Sequence, residues 1–453
     1  MGLRMPFEII HLGGDQCVTG SCHLVQANGL NILFDCGSAQ GGDQALPMDA
    51  WPVKASQIDF LFVSHAHIDH IGRIPELIQK GFKGEIITTH PTKDLLLPML
   101  KDAMALSGLG EEEAASVAQA TDELSWGFEY GQAFDLKKAV RFTFHQAGHI
   151  LGSSFLLLES EGPHCSVLFS GDLGCRSTPL LPDPDPPPPC DLLVLESTYG
   201  DRLHETRERR TEQLGRILTR ALSDGGKVFI PAFAFGRTQE LLYELDRLFS
   251  DRSFRKQFPQ LAESGRIPVV LDSPLGLELT KITSSLSGYW DREAKTLLSH
   301  GDDPMDFDHL YTANSHKDHL RLLERPGPVL VIAGSGMCTG GRIVDHLKAG
   351  IEDPMNDIVF VGYNARGTAG REIQQCASTP GGDVTLDGER YRVRAGVHTL
   401  GGYSAHADQK ELMEWVKLMP GKPRIIKLVH GEPSAQKALA NELNRWGYKN
   451  VNT

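Results

Sequence analysis

Several things that would assign this chain quickly are missing from it. Its eight cysteines form no CxxC pair, which removes zinc ribbons and thioredoxin-like redox motifs and leaves scattered thiols suited to a reducing compartment. No run is long and apolar enough to cross a membrane. The opening MGLRMPFEIIHLGG enters a strand-like pattern without the apolar core or small-residue cleavage site of a signal peptide. Internal repeats are absent, and low complexity is confined to LPDPDPPPPCD at 181–191, which can join neither a central strand nor a helix interior. Positive charge is also short: 45 Lys and Arg stand against 58 Asp and Glu, for a net charge of −13. That balance counts mildly against nucleic acid, because counterion release rewards basic surfaces.

What is present is a chain of 453 residues, 40% hydrophobic and carrying 47 glycines. It is too long for one ordinary core, so two domains of a soluble, turn-rich protein are expected. Before the proline run, short apolar stretches (FEIIHL, CHLVQA, NILFDCG, IDFLFVSH, GEIITTH, RFTFHQAGH, SFLLLES, SVLFSGDLG) read as strands, interrupted by helical patterns near 92–104 and 111–120. After it the rhythm becomes strand–helix alternation. DLLVLEST, KVFIPAFA, PVVLDSP, PVLVIAGSG and DIVFVGY are apolar throughout, as in a parallel sheet covered by helices such as GRTQELLYELDRLF and GRIVDHLKAG. The fold class is therefore α/β or α+β. Five apolar runs end in a potential ligand or acid–base group: Asp35, His65, Asp172, Glu196 and His430. Strand ends are rigid launching points for loops, and catalytic groups gather there.

The densest signal is SHAHIDHIGRIP at 64–75, with three histidines and an aspartate in six positions. His65 and His67, two apart in an extended loop, point to one side and offer two imidazole nitrogens to one ion. Asp69 and His70 follow and can face a second ion. This donor set suits Zn2+ and, less tightly, Mn2+ or Fe2+. HQAGHILGSS adds His149 and FSGDLG adds Asp172, each beside a glycine that lets the backbone turn sharply. A carboxylate such as Asp172 can bridge two ions, which a histidine cannot. Asp35 is read as orienting a ligand from behind. His11, His23, His90, His145 and His164 are read as satisfied core or surface residues. Two divalent ions would return four positive charges where an anionic substrate sits, so the net charge excludes little.

HAHIDH, AGHILGS and SGDLG resemble, in order and spacing, the motifs of the metallo-β-lactamase superfamily, whose members fold as an αββα sandwich around one or two metals. Its small-molecule hydrolases place the last ligand histidine within several tens of residues of the bridging aspartate. Here LVHGE arrives only at His430, after a strand–helix segment that resembles an inserted domain. VLESTYGDRLH with Glu196, GGYSAHADQ with His406, and LVHGEPSA with His430 are similar to the three further motifs of the β-CASP branch, whose characterised members are nucleic-acid nucleases. AFAFGRTQELL and GSGMCTGGR also resemble that branch, and the likeness is nearest to the nuclease subunit of the mRNA cleavage and polyadenylation specificity factor and its bacterial relatives.

The resemblance implies a first domain at 1–204 and 396–453, interrupted by a β-CASP domain at 205–395. Histidine at position 430, where DNA-acting members tend to carry valine, implies RNA. The expected protein is a cytoplasmic, bacterial core enzyme without added domains. It would be a metal-dependent ribonuclease leaving 5′-phosphate and 3′-hydroxyl ends, by internal or 5′-terminal attack on single-stranded RNA, in processing or decay. The alternatives are a DNA nuclease of the same branch, a non-catalytic RNA-binding subunit, and a small-molecule ester hydrolase, which the insert disfavours. In the implied centre His65, His67, His149 and Asp172 hold one ion, and Asp69, His70, His430 and the shared Asp172 hold the other. His406, partnered by Glu196, protonates the leaving oxygen; Asp69 stands with these two among the catalytic candidates. Arg237 at a helix start, the glycine-rich GSGMCTGGR with Ser335 and Arg342, and Ser404 are candidates for gripping phosphate, with RLHETRERR as a basic rim.

Overall fold

The computed structural model describes residues 7–160, 165–204, 207–263, 267–379, 381–400 and 403–453. His164 and part of the RLHETRERR and GGYSAHADQ stretches lie outside them. The chain forms two compact units, one from residues 1–176, 181–203 and 406–453, the other from 177–180 and 204–405.

In the first unit, six strands form a sheet in sequence order: Phe7–Gly13, Cys22–Ala27, Leu30–Phe34, Phe60–Phe62, Glu85–Thr89 and Ser125–Phe128. The first three pair antiparallel and the rest parallel. The second sheet runs Val451–Asn452, Ile425–Val429, Leu192–Glu196, Cys165–Phe169, Ser154–Ser160, Val140–Gln146 and Ala133–Asp135. Period-two alternation places Phe142, Phe144, Leu156, Leu158, Val167, Phe169, Leu192 and Val194 against Ile32, Phe34, Phe60 and Phe62 of the first sheet. The opposite parity, Leu168, Leu193, Leu195, Ile426 and Leu428, packs on Trp415, Val416 and Leu439 of the helices Gln409–Lys417 and Pro433–Arg445. His90–Ser107 and Glu111–Leu124 pack on the first sheet. Thr89 caps the former by accepting the Thr92 amide, and Gly108 ends it in a left-handed conformation. The result is helix, sheet, sheet, helix. The proline run carries no helix or strand but is tied down: Asp185 accepts from the Gln146 amide and, through its carbonyl, from Trp415 Nε1.

The second unit holds a six-stranded sheet, all parallel, in the order Leu310–Thr312, Val269–Leu271, Val329–Ala333, Lys227–Pro231, Asp357–Phe360 and Gly396–Thr399. Gly396–Thr399 pairs with Asp357–Phe360, so it lies beyond the expected boundary at 395/396 and inside this unit. No described helix in the chain is long and apolar enough to cross a membrane.

Candidate metal centre

The strand Phe60–Phe62 ends in the loop carrying His65 and His67, and the short helix Ile68–Ile71 carries Asp69 and His70. The Ser21 amide donates to Asp69 O and the Cys36 amide to His70 O, each at 2.8 Å, which pins this turn to the residues flanking the strands Cys22–Ala27 and Leu30–Phe34. A Cβ on Gly37 would lie 1.6 Å from the Asp69 carbonyl oxygen, so only glycine permits the approach. His149 and Asp172 follow Val140–Gln146 and Cys165–Phe169, and the glycines beside them, Gly148 and Gly171, have φ of 70° and 51°. His430 follows Ile425–Val429 directly and has φ of 49°.

These side chains converge. His67 Nδ1 lies 3.1 Å from His65 Nε2 and 3.2 Å from His149 Nε2, and Asp172 Oδ2 is 3.6 Å from each of the two Nε2 atoms. On its other side Asp172 Oδ2 is 3.2 Å from His70 Nε2, while Asp69 Oδ2 is 3.9 Å from His70 Nε2 and 3.7 Å from His430 Nε2. A tetrahedral ion with ligand bonds near 2.05 Å has ligand–ligand edges of roughly 3.3 Å, which the tighter contacts bracket. His70 Nε2, His430 Nε2 and Asp172 Oδ1 are buried without a hydrogen-bond partner. Buried polar atoms left this way are costly, and a cation shared among them removes that cost. The residues therefore fit divalent metal in two adjoining groups, with Asp172 common to both. Burial holds His65 and His149 well below the ordinary imidazole range and His67 at about 4, leaving neutral nitrogens able to ligate.

Asp35 sits behind the centre, wholly buried, with φ of 60°. Its Oδ1 accepts the Ser64 amide at 2.8 Å, and its Oδ2 accepts from Ser64 Oγ at 2.9 Å and His70 Nδ1 at 2.7 Å. That fixes the His70 proton on Nδ1 and turns Nε2 to Asp172. Ser64 Oγ, 3.0 Å from His65 Nδ1, serves His65 in the same way.

Glu196 and His406 form a second pair at the edge of this cluster. His406 Nδ1 is 3.2 Å from both Glu196 oxygens, and its Nε2 is 3.8 Å from Asp172 Oδ2. The Leu173 amide donates to Glu196 Oε1 and the Thr198 amide to Oε2, so this carboxylate is already engaged as an acceptor. Burial alone would lower His406, but the Glu196 and Asp172 carboxylates override it and hold the ring up at about 9. Asp408 then caps Gln409–Lys417 reciprocally with Glu411, anchoring the chain just after His406.

The remaining candidates lie in the second unit. Arg237 heads the helix Arg237–Ser250 as expected, but it is buried and its guanidinium pairs with Glu240. Arg342 spends its charge on Asp272 Oδ1 at 2.6 Å and on Ala313 O. Ser335 Oγ accepts the Thr339 amide and Ser404 is buried. Arg210, the last residue of RLHETRERR, is buried too, 2.8 Å from Glu240 and over the Tyr403 ring. Sequence reasoning passed over a buried group around Asp272, whose Oδ2 meets His319 Nδ1 at 2.6 Å and His346 Nε2 at 2.7 Å. The signal was available, since Asp272 follows the strand Val269–Leu271 as Asp35 follows Leu30–Phe34. These separations are those of hydrogen bonds, well short of a tetrahedral edge of roughly 3.3 Å. With a guanidinium on its other oxygen, Asp272 organises a proton-linked cluster in place of a metal site. His11 and His23, read as structural, hold their Nδ1 atoms 2.9 Å apart, and His145 stacks on Phe155.

Three family profiles match the chain in series: the metallo-beta-lactamase superfamily over residues 15–210, the Beta-Casp domain over 238–373, and the Zn-dependent metallo-hydrolase RNA specificity domain over 390–453. The chain is 38% identical over 436 residues to ribonuclease TTHA0252 of Thermus thermophilus, spanning 96% of each protein. It is 31% identical to transcription termination factor FttA of Methanocaldococcus jannaschii, over 97% of this chain and 69% of that one. To cleavage and polyadenylation specificity factor 73 of Drosophila melanogaster it is 32% identical, over 98% of this chain and 63% of that protein. A crystal structure of a protein of unknown function from Enterococcus faecalis V583 superposes with a TM-score of 0.52 over 95% of both chains at 14% identity, which shows a shared fold.

Proposed function

Since the chain belongs to the β-CASP ribonuclease branch of the metallo-β-lactamase superfamily, we propose that it is a metal-dependent ribonuclease working through two divalent cations. One would be held by His65, His67, His149 and Asp172, the other by Asp69, His70, His430 and Asp172. The observation that carries the reading is the Asp172 carboxylate, placed within 3.6 Å of His65, His70 and His149 and bordered by the raised imidazole of His406. Bound there, the cations, zinc by the donor chemistry with manganese as the alternative, would supply Lewis acidity and lower the pKa of a bound water from about 16 to about 7.

The chain's own residues do the rest. Asp35 and Ser64 keep His70 and His65 turned inward. His406, protonated at neutral pH through Glu196, holds the proton that the leaving 3′ oxygen takes, so the products carry 5′-phosphate and 3′-hydroxyl ends. The substrate proposed is single-stranded RNA, supported by the ribonuclease relative and by the RNA-specificity profile over 390–453. The phosphate contacts expected of Ser335, Arg342, Arg237 and Ser404 form no part of the proposal, since both arginines are committed to internal ion pairs with Asp272 and Glu240. A reducing, cytoplasmic bacterial setting is supported by the free thiols among the described cysteines and by the Thermus relative.

The test is product mapping on 5′-labelled RNA and on a matched single-stranded DNA, with zinc or manganese supplied. Cleavage of the RNA to 3′-hydroxyl products, with the DNA left largely intact, supports the proposal. Equal cutting of DNA, or no cutting by fully metallated protein, overturns it.

A further inference from the structure

His430 is the ligand candidate supplied last by the chain and held least conventionally. Its backbone is left-handed, with φ of 49°, a conformation that costs a residue with a side chain of this size and persists only when its surroundings enforce it. The enforcement comes from the residues after the neighbouring strand. Leu192–Glu196 and Ile425–Val429 run parallel with Glu196 beside Val429. Just beyond, Ser197 Oγ donates to Val429 O at 2.6 Å, and the Ser197 amide to His430 O at 3.3 Å. The His430 amide in turn donates to Gly14 O at 2.7 Å.

Thr198 completes the arrangement. It is buried, and its Oγ1 lies 3.0 Å from His430 O and 3.1 Å from His430 Nδ1. A hydroxyl has one proton to give. It goes to the His430 carbonyl, the nearer of the two, which also accepts the Ser197 amide. The lone pairs of Oγ1 then face Nδ1, which must carry a hydrogen to make the second bond. An imidazole protonated on Nδ1 alone has a bare Nε2. That nitrogen is the one buried without a hydrogen-bond partner and lying 3.7 Å from Asp69 Oδ2.

We infer that Thr198 is the positioning residue for His430: its one hydroxyl, bonded to the carbonyl of the left-handed residue, sets the ring tautomer that presents Nε2 to the cation beside Asp69 and His70. The inference rests on the two-ion reading above. It also gives the tripeptide Glu196–Ser197–Thr198 a joint role, since Glu196 directs His406 while Ser197 and Thr198 direct His430.

Two variants test this. Thr198→Val keeps the side-chain shape and removes the hydroxyl; Thr198→Ser keeps the hydroxyl and removes a methyl. Zinc binding is measured by competition with a chromophoric chelator, with bound metal counted by elemental analysis. The wild-type chain should bind two equivalents. Thr198→Val should bind the first as the wild type does and the second about 10- to 100-fold more weakly, the usual effect of removing a group that orients a metal-binding histidine. Thr198→Ser should restore the second to near its original strength. Two equivalents bound equally tightly by Thr198→Val would overturn the inference while leaving the two-ion reading intact. Equal weakening in both variants would also overturn it, because packing and not the hydroxyl would then be responsible. A wild-type chain that binds only one equivalent would overturn the two-ion reading, and the inference with it.

Discussion

Glu196→Gln removes one charge from the core and changes little else in volume, which makes it the sharpest perturbation of the proposed acid. His406 is raised from 6.5 to about 9 against burial that acts the other way. Glu196 stands first among the groups that raise it, ahead of Asp172, whose charge bound cations would share. Over the full shift the two protonation states differ by about 3 kcal/mol. The glutamine offers one acceptor where Glu196 offers two, yet the Leu173 amide, the Thr198 amide and His406 Nδ1 all point at it. With the carboxylate gone, His406 returns to 6.5 or below. At pH 8 its protonated fraction then falls from about 90% to about 3%, so a reaction needing that proton slows at least roughly 30-fold. The sign follows from the acid form being the active one: activity present below the His406 pKa is lost as pH rises through it. The alkaline limb of kcat/KM on labelled RNA should therefore move down by about 2.5 pH units or more in the variant. Metal content should be unchanged. A pH profile superposable on the wild type's would refute the acid role, and loss of an ion from the variant would make Glu196 a ligand instead.

Three further outcomes are expected. Chelation should abolish RNA cleavage and lower the melting temperature, each ion contributing about 4 kcal/mol when present at a thousand times its Kd; a melting temperature indifferent to chelator would remove the metals from the fold's support. Asp35→Asn places an amide where His70 Nδ1 needs an acceptor at 2.7 Å, and should weaken metal binding about 10- to 100-fold, read by chelator competition. Asp272 is held at about 2: burial opposes this, but His346, His319 and Arg342 outweigh it. Its stabilisation is complete above about pH 4 and is lost as pH falls towards 2. Asp272→Asn should thus cost about 2 kcal/mol at pH 7, with the gap narrowing by pH 3 in urea titrations; a gap constant with pH would contradict the assignment.

The cluster of candidate metal donors was readable in the sequence because its members are locally dense. Four of them fall within HAHIDH, and Asp172 and His430 sit at strand ends flagged by the apolar runs before them. The strand–helix alternation likewise gave the parallel sheet of the second unit, since a strand covered on both faces is apolar at every position. What could not be read was pairing across distance. Arg237 and Arg342 look like free cations in their local stretches, and their partners are a glutamate one turn on and an aspartate 70 residues back. The Asp272 group is spread over three segments, so the sequence marks only Asp272 itself, at a strand end, and not its partners. Gly396–Thr399 has the same alternation whichever sheet receives it, and only its register with Asp357–Phe360 assigns it. Thr198 escaped notice because a threonine after a strand ordinarily signifies nothing more than a turn.

The most direct measurement is anomalous diffraction at the zinc absorption edge on crystals grown with that metal. Two peaks are expected flanking the Asp172 carboxylate, one ringed by His65, His67 and His149, the other by Asp69, His70 and His430. Peaks absent from that cluster, or one ringed instead by Asp272, His319 and His346, would contradict the two-ion reading.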